Sequence, residues 1–490
     1  LFILHRTATT LRKVRSRLTR CAAILSFTWL IAAPAAQAQY FALGKGTYPL
    51  EFYDIDFTYL ADPTKRTGIL DMLHYIPLGW SAESYLSLGG EFREQYWSQV
   101  NESHALRKPF DDNYDLQRVV ADAYLHFDSH VAVFAQLARD DAFGKSNPST
   151  TDETRGRVQQ GFIELKESAG PAEVTAHLGR QEITLGSGRF VWINDSSNVR
   201  TTQDGAHVHA AFPDGVTVDL VASRPVTPTY TAFDDWSSHS GSFGAAYASE
   251  PLFANALHVD EYYYYRRNPG VQYAALTGNE DRDTGGGRLW GAVGGFKFDS
   301  DFAYQWGTFN TTKPKKSTQP DKTLSAFATS TRVFYGFDDV AWQPAVQFQT
   351  GYFSGSDAPK SGVIGTFSAP FPRPTLLNYA GLETLENLIE AYPAALINPL
   401  SNLSLRFGPE LLWRANVKDA LYISRATPLT TTLNDSARYV GTNLTWTAQW
   451  RIAPNITAFG EYIRELAGRA ITQAGGHGAD VGIVQVDFNF

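Results

Sequence analysis

Asp480-Val-Gly-Ile-Val-Gln-Val-Asp-Phe-Asn-Phe490 closes the chain with a two-residue period. Gly482, Val484, Val486, Phe488 and Phe490 fall on one side, and Gln485, Asp487 and Asn489 on the other. Successive side chains of a strand point to opposite faces, so the stretch predicts a strand with one apolar and one polar face, ending on an aromatic ring. The pattern recurs upstream. Val440, Thr442, Leu444, Trp446, Ala448 and Trp450 oppose Asn443, Thr445, Thr447, Gln449 and Arg451. Leu86, Leu88, Phe92 and Tyr96 oppose Ser87, Glu91, Arg93 and Gln95, and Val119, Ala121, Ala123, Leu125 and Phe127 oppose Arg118, Asp122, Tyr124 and His126. If the apolar side meets lipid, a slip of one residue exposes Arg451 there at a cost of about 2–4 kcal/mol, which fixes the register.

The links between strands indicate what the apolar side meets. Short links at 128–130, 167–173, 213–215, 250–255, Ser300 and 452–455 alternate with polar stretches around 99–116, 139–156, 182–204, 224–239, 268–286, 311–322, 354–402, 426–437 and 465–479. Short turns on one side and long loops on the other are the habit of a transmembrane barrel. Strands then start near 84, 117, 131, 157, 173, 205, 216, 240, 256, 287, 302, 323, 344, 403, 419, 438, 456 and 480, about eighteen in all. Tyr262 to Tyr265, Tyr304, Trp306, Trp342, Tyr352, Trp413 and Tyr462 fall near strand ends, where amphipathic rings suit the headgroup level. The expected fold is all-β, an antiparallel transmembrane barrel with long extracellular loops and short periplasmic turns.

The other end of the chain agrees. Arg6, Arg12, Lys13, Arg15, Arg17 and Arg20 precede an apolar run from Ala22 to Ala33, and Ala36-Gln-Ala38 offers small-x-small residues for cleavage. Residues 1–38 are therefore expected to be a secretory signal peptide, 39–83 an N-terminal extension on the periplasmic side, and 84–490 the barrel. Cys21 falls within the signal, so the mature chain can hold neither a disulfide nor a thiolate metal site. Without the six signal-region cations the balance is 36 basic against 50 acidic residues, a net of −14, which argues against nucleic acid as a partner. Beyond the signal no apolar run reaches the roughly 18 residues of a membrane helix. Only a closed barrel then satisfies the backbone in a bilayer. Within 354–402, Leu376, Leu377, Leu382, Leu385, Leu388 and Ile389 stand at roughly helical spacing between Pro374 and Pro393, suggesting a loop with its own helix over the pore mouth.

Several segments resemble the alginate export family of outer-membrane proteins across residues 84–490: Gln117-Arg-Val-Val-Ala-Asp-Ala-Tyr124, Gly179-Arg-Gln-Glu-Ile-Thr-Leu-Gly-Ser-Gly-Arg189, Asn198-Val-Arg200 with Asp204-Gly205, Glu280-Asp-Arg-Asp-Thr-Gly285 with Arg288-Leu-Trp-Gly291, Gly365-Thr-Phe367 and Leu412-Trp-Arg414. The resemblance implies a monomeric eighteen-stranded barrel in the bacterial outer membrane, with a lumen of charged residues narrowed by inward loops, exporting a polyuronate. A polyanion crossing a low-dielectric wall needs fixed cations, and arginine binds carboxylates through its fork while staying charged. Strand phase puts Arg93, Arg118, Arg288, Arg406, Arg414 and Arg451 inward, and Arg180, Arg189 and Arg200 sit on or beside the most specific segment. These nine are the expected substrate path, with pairing to Glu91, Asp122, Glu164 or Glu410 as the alternative role for any one of them. Ile193-Asn-Asp-Ser-Ser197 and Ser354-Gly-Ser-Asp357 depart from the family's usual Gly-Pro and Ser-Gly-Asp patterns, removing positive charge near the mouth.

No catalytic residue is expected. His207 and His209 share one strand face but lack a third ligand at a useful spacing, no G-x-S-x-G is present, and Asp281 and Asp283 read as a solvated loop. The expectation is a channel with no enzymatic activity, cofactor or metal. It would pass an anionic polysaccharide or related acidic solute, with outer-membrane lipid and possible periplasmic export proteins as partners. A general or substrate-specific diffusion porin is the alternative, and a barrel enzyme a distant one.

Overall fold

The computed structural model describes residues 51–490 apart from 109, 254–255, 314–320, 358–361 and 424–425. The expected signal peptide and the first part of the extension lie outside these residues. Eighteen long strands close into one antiparallel barrel. They are β1 Tyr85–Val100, β2 Asp111–His126, β3 Val131–Phe143, β4 Thr154–Ala169, β5 Ala172–Gln181 and β6 Gln203–Ala211. There follow β7 Thr217–Thr227, β8 Ser242–Leu252, β9 Leu257–Tyr273, β10 Leu276–Val293, β11 Phe296–Lys313 and β12 Lys322–Gly336. The last six are β13 Ala345–Phe353, β14 Leu388–Leu400, β15 Leu403–Arg414, β16 Tyr439–Ala453, β17 Ile456–Ala467 and β18 Asp480–Asn489.

The quoted C-terminal stretch makes the closure. β18 pairs with β17 on one side and β1 on the other, with Phe488 opposite Phe92 and Val484 opposite Tyr96. Val484 and Val486 are exposed while Gln485 and Asp487 are buried, so the apolar face looks out to lipid and the polar face into the lumen. Phe490 extends the pairing by exchanging both backbone hydrogen bonds with Gly90, at 2.8 and 3.0 Å. A Cβ on Gly90 would stand 2.3 Å from the Val120 carbonyl oxygen, so that close approach admits only glycine.

The strand count matches the expectation through two offsetting differences. A strand expected near 419 is a loop with a small hairpin, Leu421–Ile423 against Thr427–Leu429. The loop expected over 354–402 ends at 387 and gives way to β14. Its leucines form no helix beyond the single turn Pro374–Leu376; Leu376, Leu377, Leu382 and Leu385 are buried among the lumen side chains instead. Pro393 disguised β14. It faces outward, and the ladder to β15 is interrupted where Pro393 and Pro409 confront each other without N–H donors. The short link placed at Ser300 is a turn at Gly294–Gly295, and the loop expected over 268–286 is the tip of the β9–β10 hairpin. Of the expected aromatic belt, Tyr263, Tyr304, Trp306, Trp342 and Tyr462 are exposed, but Tyr262 and Tyr264 are buried and stack at 4.8 Å.

Several segments enter the lumen. Tyr53 of the N-terminal extension packs edge-on against Phe134, Phe162 and His177 on the inner wall at 5.1–5.6 Å. Loops 182–202 and 354–387 meet each other, with Trp192 N donating to Phe371 O (3.0 Å) and Phe371 N to Phe190 O (2.9 Å). Ile183, Phe190, Val191, Phe367, Phe371 and Leu376 from these loops share one apolar cluster with Ala326 and Ala328 of β12. Much of this barrel's apolar core is therefore inside it. Burying that apolar surface at about 25 cal/mol per Å² supplies the drive that folds polar loops inward.

Candidate functional site

Loop 182–202 is tied down at both ends by charge. Its turn at Gly186 has φ +57, and a Cβ there would meet the Tyr247 hydroxyl at 2.1 Å, so glycine lets the chain press against the wall. Farther along, the Asp195 carboxylate enters a nest of three arginines. Arg118 Nη1 donates to Asp195 Oδ1 at 2.8 Å, Arg200 Nε to the same oxygen at 2.6 Å, and Arg93 Nη2 to Oδ2 at 2.9 Å. Glu91 and Asp487 complete the knot: Glu91 Oε2 accepts from Arg200 Nη2 (2.6 Å), and Asp487 Oδ1 from Arg93 Nε (2.6 Å). Three cations meet three carboxylates, all at most 7% exposed at the side chain. Burial alone would raise the Asp195 carboxyl; Arg200, Arg93 and Arg118 hold it well below the usual carboxylate range. Each contact near 3 Å is worth about 5 kcal/mol at an effective dielectric of about 20, comparable with the several kcal/mol that burying each ion costs. The knot is thus self-compensating only while complete.

Across the lumen the same loop presents Arg189 to β11. It pairs with Asp301 and, at 3.2 Å, with Asp299. Arg288 of β10 holds Asp299 with both ends of its fork, at 2.9 and 2.8 Å, and reaches Asp260 at 3.0 Å.

Beside this group runs a lane of further lumen arginines that also has carboxylates in range, Asp299 near Arg332 and Glu410 and Glu461 near Arg406. Arg332 of β12 points inward and donates Nε to Gln349 Oε1 at 2.7 Å; among the described residues it forms no salt bridge. Gln349 in turn donates to Glu390 at 2.6 Å, so an amide stands between the cation and that acid. The charges of Arg189, Asp299, Arg373 and Arg406 all act on Arg332. Arg373, from loop 354–387, lies over the Trp192 ring at 4.9 Å and bonds Thr375 Oγ1 at 2.9 Å. Burial, and then repulsion by Arg189, lower Arg373 to about 10, so it would be relieved by an anion. Arg406 stacks on Tyr392 at 5.5 Å and reaches Thr447 Oγ1 at 3.3 Å.

These features place the chain among known proteins. The sequence profile of alginate export proteins matches residues 84–484. The chain belongs to the alginate export family. No match occurs among curated proteins. Its fold resembles OccAB1 of Acinetobacter baumannii at 11% identity and TM-score 0.52, covering 85% of this chain and 99% of that one. A BenF-like porin from Pseudomonas fluorescens is similar at 8% identity and TM-score 0.54, covering 83% and 98%. OccD3 of Pseudomonas aeruginosa gives 10%, 0.53, 85% and 92%. At such identities the likeness is one of fold. Together with the family it makes this alginate export member an outer-membrane β-barrel channel.

Within this family member the sequence-expected arginines divide by position. Arg93, Arg118 and Arg200 form the Asp195 knot, and Arg189 and Arg288 share the β11 carboxylates. Arg406 joins the lane. Arg414 is directed at a loop: Nη1 donates to Thr432 O at 2.8 Å and Nη2 to Asp435 O at 2.9 Å, gathering loop 415–438. Arg451 is exposed at the short-turn end of β16. Arg180 lies on the same side of β5 as exposed Leu178, opposite His177 and Gln181, and pairs there with Asp204 at 2.8 Å, so the structure does not bring it into the lumen. His207 and His209 both bond Asp219 Oδ1, at 2.9 and 2.8 Å. Sequence reading missed Arg332, Arg373 and Asp195. For Arg332 the signal existed: Leu324, Ala326, Ala328, Ser330 and Arg332 share a face opposite exposed Phe327.

Proposed function

We propose that the channel passes acidic saccharides, with an alginate-like polyuronate in export as the expected cargo, and that Arg332, Arg373 and Arg406 line its path. The observation that carries this is Arg332: a lumen cation in the range of three others and of Asp299, bonded to a neutral amide, with no ion pair among the described residues. Such a guanidinium accepts a passing carboxylate without displacing one of the protein's own, and a few like charges in a low-dielectric wall focus their field. Trp192 beneath Arg373 adds a ring face on which a sugar can slide. The remaining arginines serve as anchors for the inward loops. Small acidic solutes are a second reading, favoured by the apolar cluster that joins loops 182–202 and 354–387 inside the barrel.

The barrel is expected to act as a monomer without catalysis, its surface facing lipid, with periplasmic proteins delivering the polymer. Flux of uronate monomers and oligomers from liposomes tests the reading. Release of both, reduced several-fold by Arg332→Gln, is expected. Release of monomers alone selects the small-solute reading, and equal release of neutral oligosaccharides contradicts both.

A further inference from the structure

On the far side of loop 354–387 lies a cluster the channel reading does not use. His104 of loop 101–110, Glu383 of loop 354–387 and Glu465 of β17 are 0%, 0% and 3% exposed. One ligand atom from each lies within 4.8 Å of the other two. His104 Nδ1 stands 2.9 Å from Glu465 Oε2, and its Nε2 3.9 Å from Glu383 Oε1. His104 Nε2, Glu383 Oε1 and Glu465 Oε1 are buried with no hydrogen-bond partner, and so are Glu410 Oε1 and Asn443 Oδ1. Asn443 Nδ2 already donates to Glu383 Oε2 (3.1 Å) and Glu410 Oε2 (3.2 Å), so Glu383 and Glu410 are adjacent. All the orphaned oxygens are acceptors, and one histidine is the sole cationic side chain in ion-pair range of Glu383 and Glu465 among the described residues. Buried acceptors without donors are costly, and a cation satisfies several at once. The local backbone supports the placement: Ser103, His104 and Ala105 take φ of 52°, 59° and 54°, a left-handed run that non-glycine residues adopt only when held.

We propose that His104, Glu383 and Glu465 bind one divalent transition-metal ion, zinc or manganese, which fastens loops 101–110 and 354–387 to the barrel wall. Two carboxylates neutralise the ion. The imidazole nitrogen selects a transition metal over calcium, which takes oxygen ligands. The ion replaces the proton that the ring would otherwise hold against Glu465, so affinity rises with pH. Because loop 354–387 also carries Arg373, the ion fixes one side of the lane.

The test uses the barrel extracted from outer membranes without a polyhistidine tag, stripped with EDTA and dialysed separately against Zn2+, Mn2+ and Ca2+. Plasma mass spectrometry should find about one zinc or manganese ion per chain, calorimetry should show calcium binding at least about tenfold weaker, and His104→Gln or Glu383→Gln should weaken zinc binding by at least about tenfold. Heat-modifiable mobility confirms that each variant is folded. Should a variant misfold, electron paramagnetic resonance of the manganese-loaded wild type decides, with nitrogen coupling expected from His104. Metal content no higher in the wild type than in a folded His104→Gln/Glu383→Gln variant, calcium bound as tightly as zinc, or no nitrogen coupling would overturn the proposal.

Discussion

The Asp195 knot and the surroundings of Arg332 contain the same chemistry in different arrangement. In the knot, Arg93, Arg118 and Arg200 face Glu91, Asp195 and Asp487, and every cation is matched by a carboxylate. Around Arg332 the charges in range are three further arginines and the Asp299 carboxylate, and the hydrogen-bond partner is a glutamine. Both groups are inward and rich in arginine, so residue type alone does not distinguish them. Direct pairing does. A buried cluster whose cations are all salt-bridged holds structure and has no capacity for a ligand, whereas a cation bonded to an amide retains affinity for a passing anion.

The comparison can be broken most forcefully at Asp195. Asp195→Ala leaves three buried arginines short of a carboxylate, at a cost of about 3–5 kcal/mol, and should release loop 182–202. Hydrogen exchange should show lost protection in that loop, and single-channel conductance should rise. Unchanged protection and conductance would mean the apolar cluster alone holds the loop. A smaller effect is expected from pH. Burial would lower His104, but Glu465 and then Glu383 push it up to about 9; burial and Glu465 push Glu383 up to about 8. Both values are raised on folding, so the stability they contribute is full below their ordinary values of 6.5 and 4.5 and is lost as pH climbs through about 8 and 9. Metal-free protein should therefore melt at lower temperature at pH 9 than at pH 6, and His104→Gln should flatten that slope. The smallest effect sharpens the contrast between inward and outward arginines. Arg180→Gln, breaking a partly exposed pair on the outer side, should change stability by less than about 1 kcal/mol and leave ion selectivity untouched. A selectivity shift there would place Arg180 on the path after all.

How much of this was legible depended on whether physics acted locally. Strand period, loop alternation and the terminal aromatic residue are local, and they lead directly to β18, its neighbours and the barrel. β14 was obscured because Pro393 is tolerated on an outward-facing strand position where the ladder to Pro409 is already broken. The site was harder to read. Where loops dock, the inner wall is as apolar as the outer, so Ala326 and Ala328 invert the usual polar-in pattern on the strand that carries Arg332. Asp195 lies in Ile193 to Ser197, a loop stretch without strand periodicity. Only the fold shows that it sets a carboxylate among three arginines contributed by β1, β2 and the loop itself.

The central claim is that the few lumen cations of the Arg332 lane, rather than the net of −14, set selectivity, since exposed acids on the outer loops are screened within about 8–10 Å. Reversal potentials of single channels in planar bilayers under a salt gradient test it most directly. The account predicts an anion-preferring wild type whose preference falls several-fold, toward cations, in Arg332→Gln/Arg373→Gln with the fold retained. A cation-preferring wild type, or a folded double variant with an unchanged reversal potential, would contradict it.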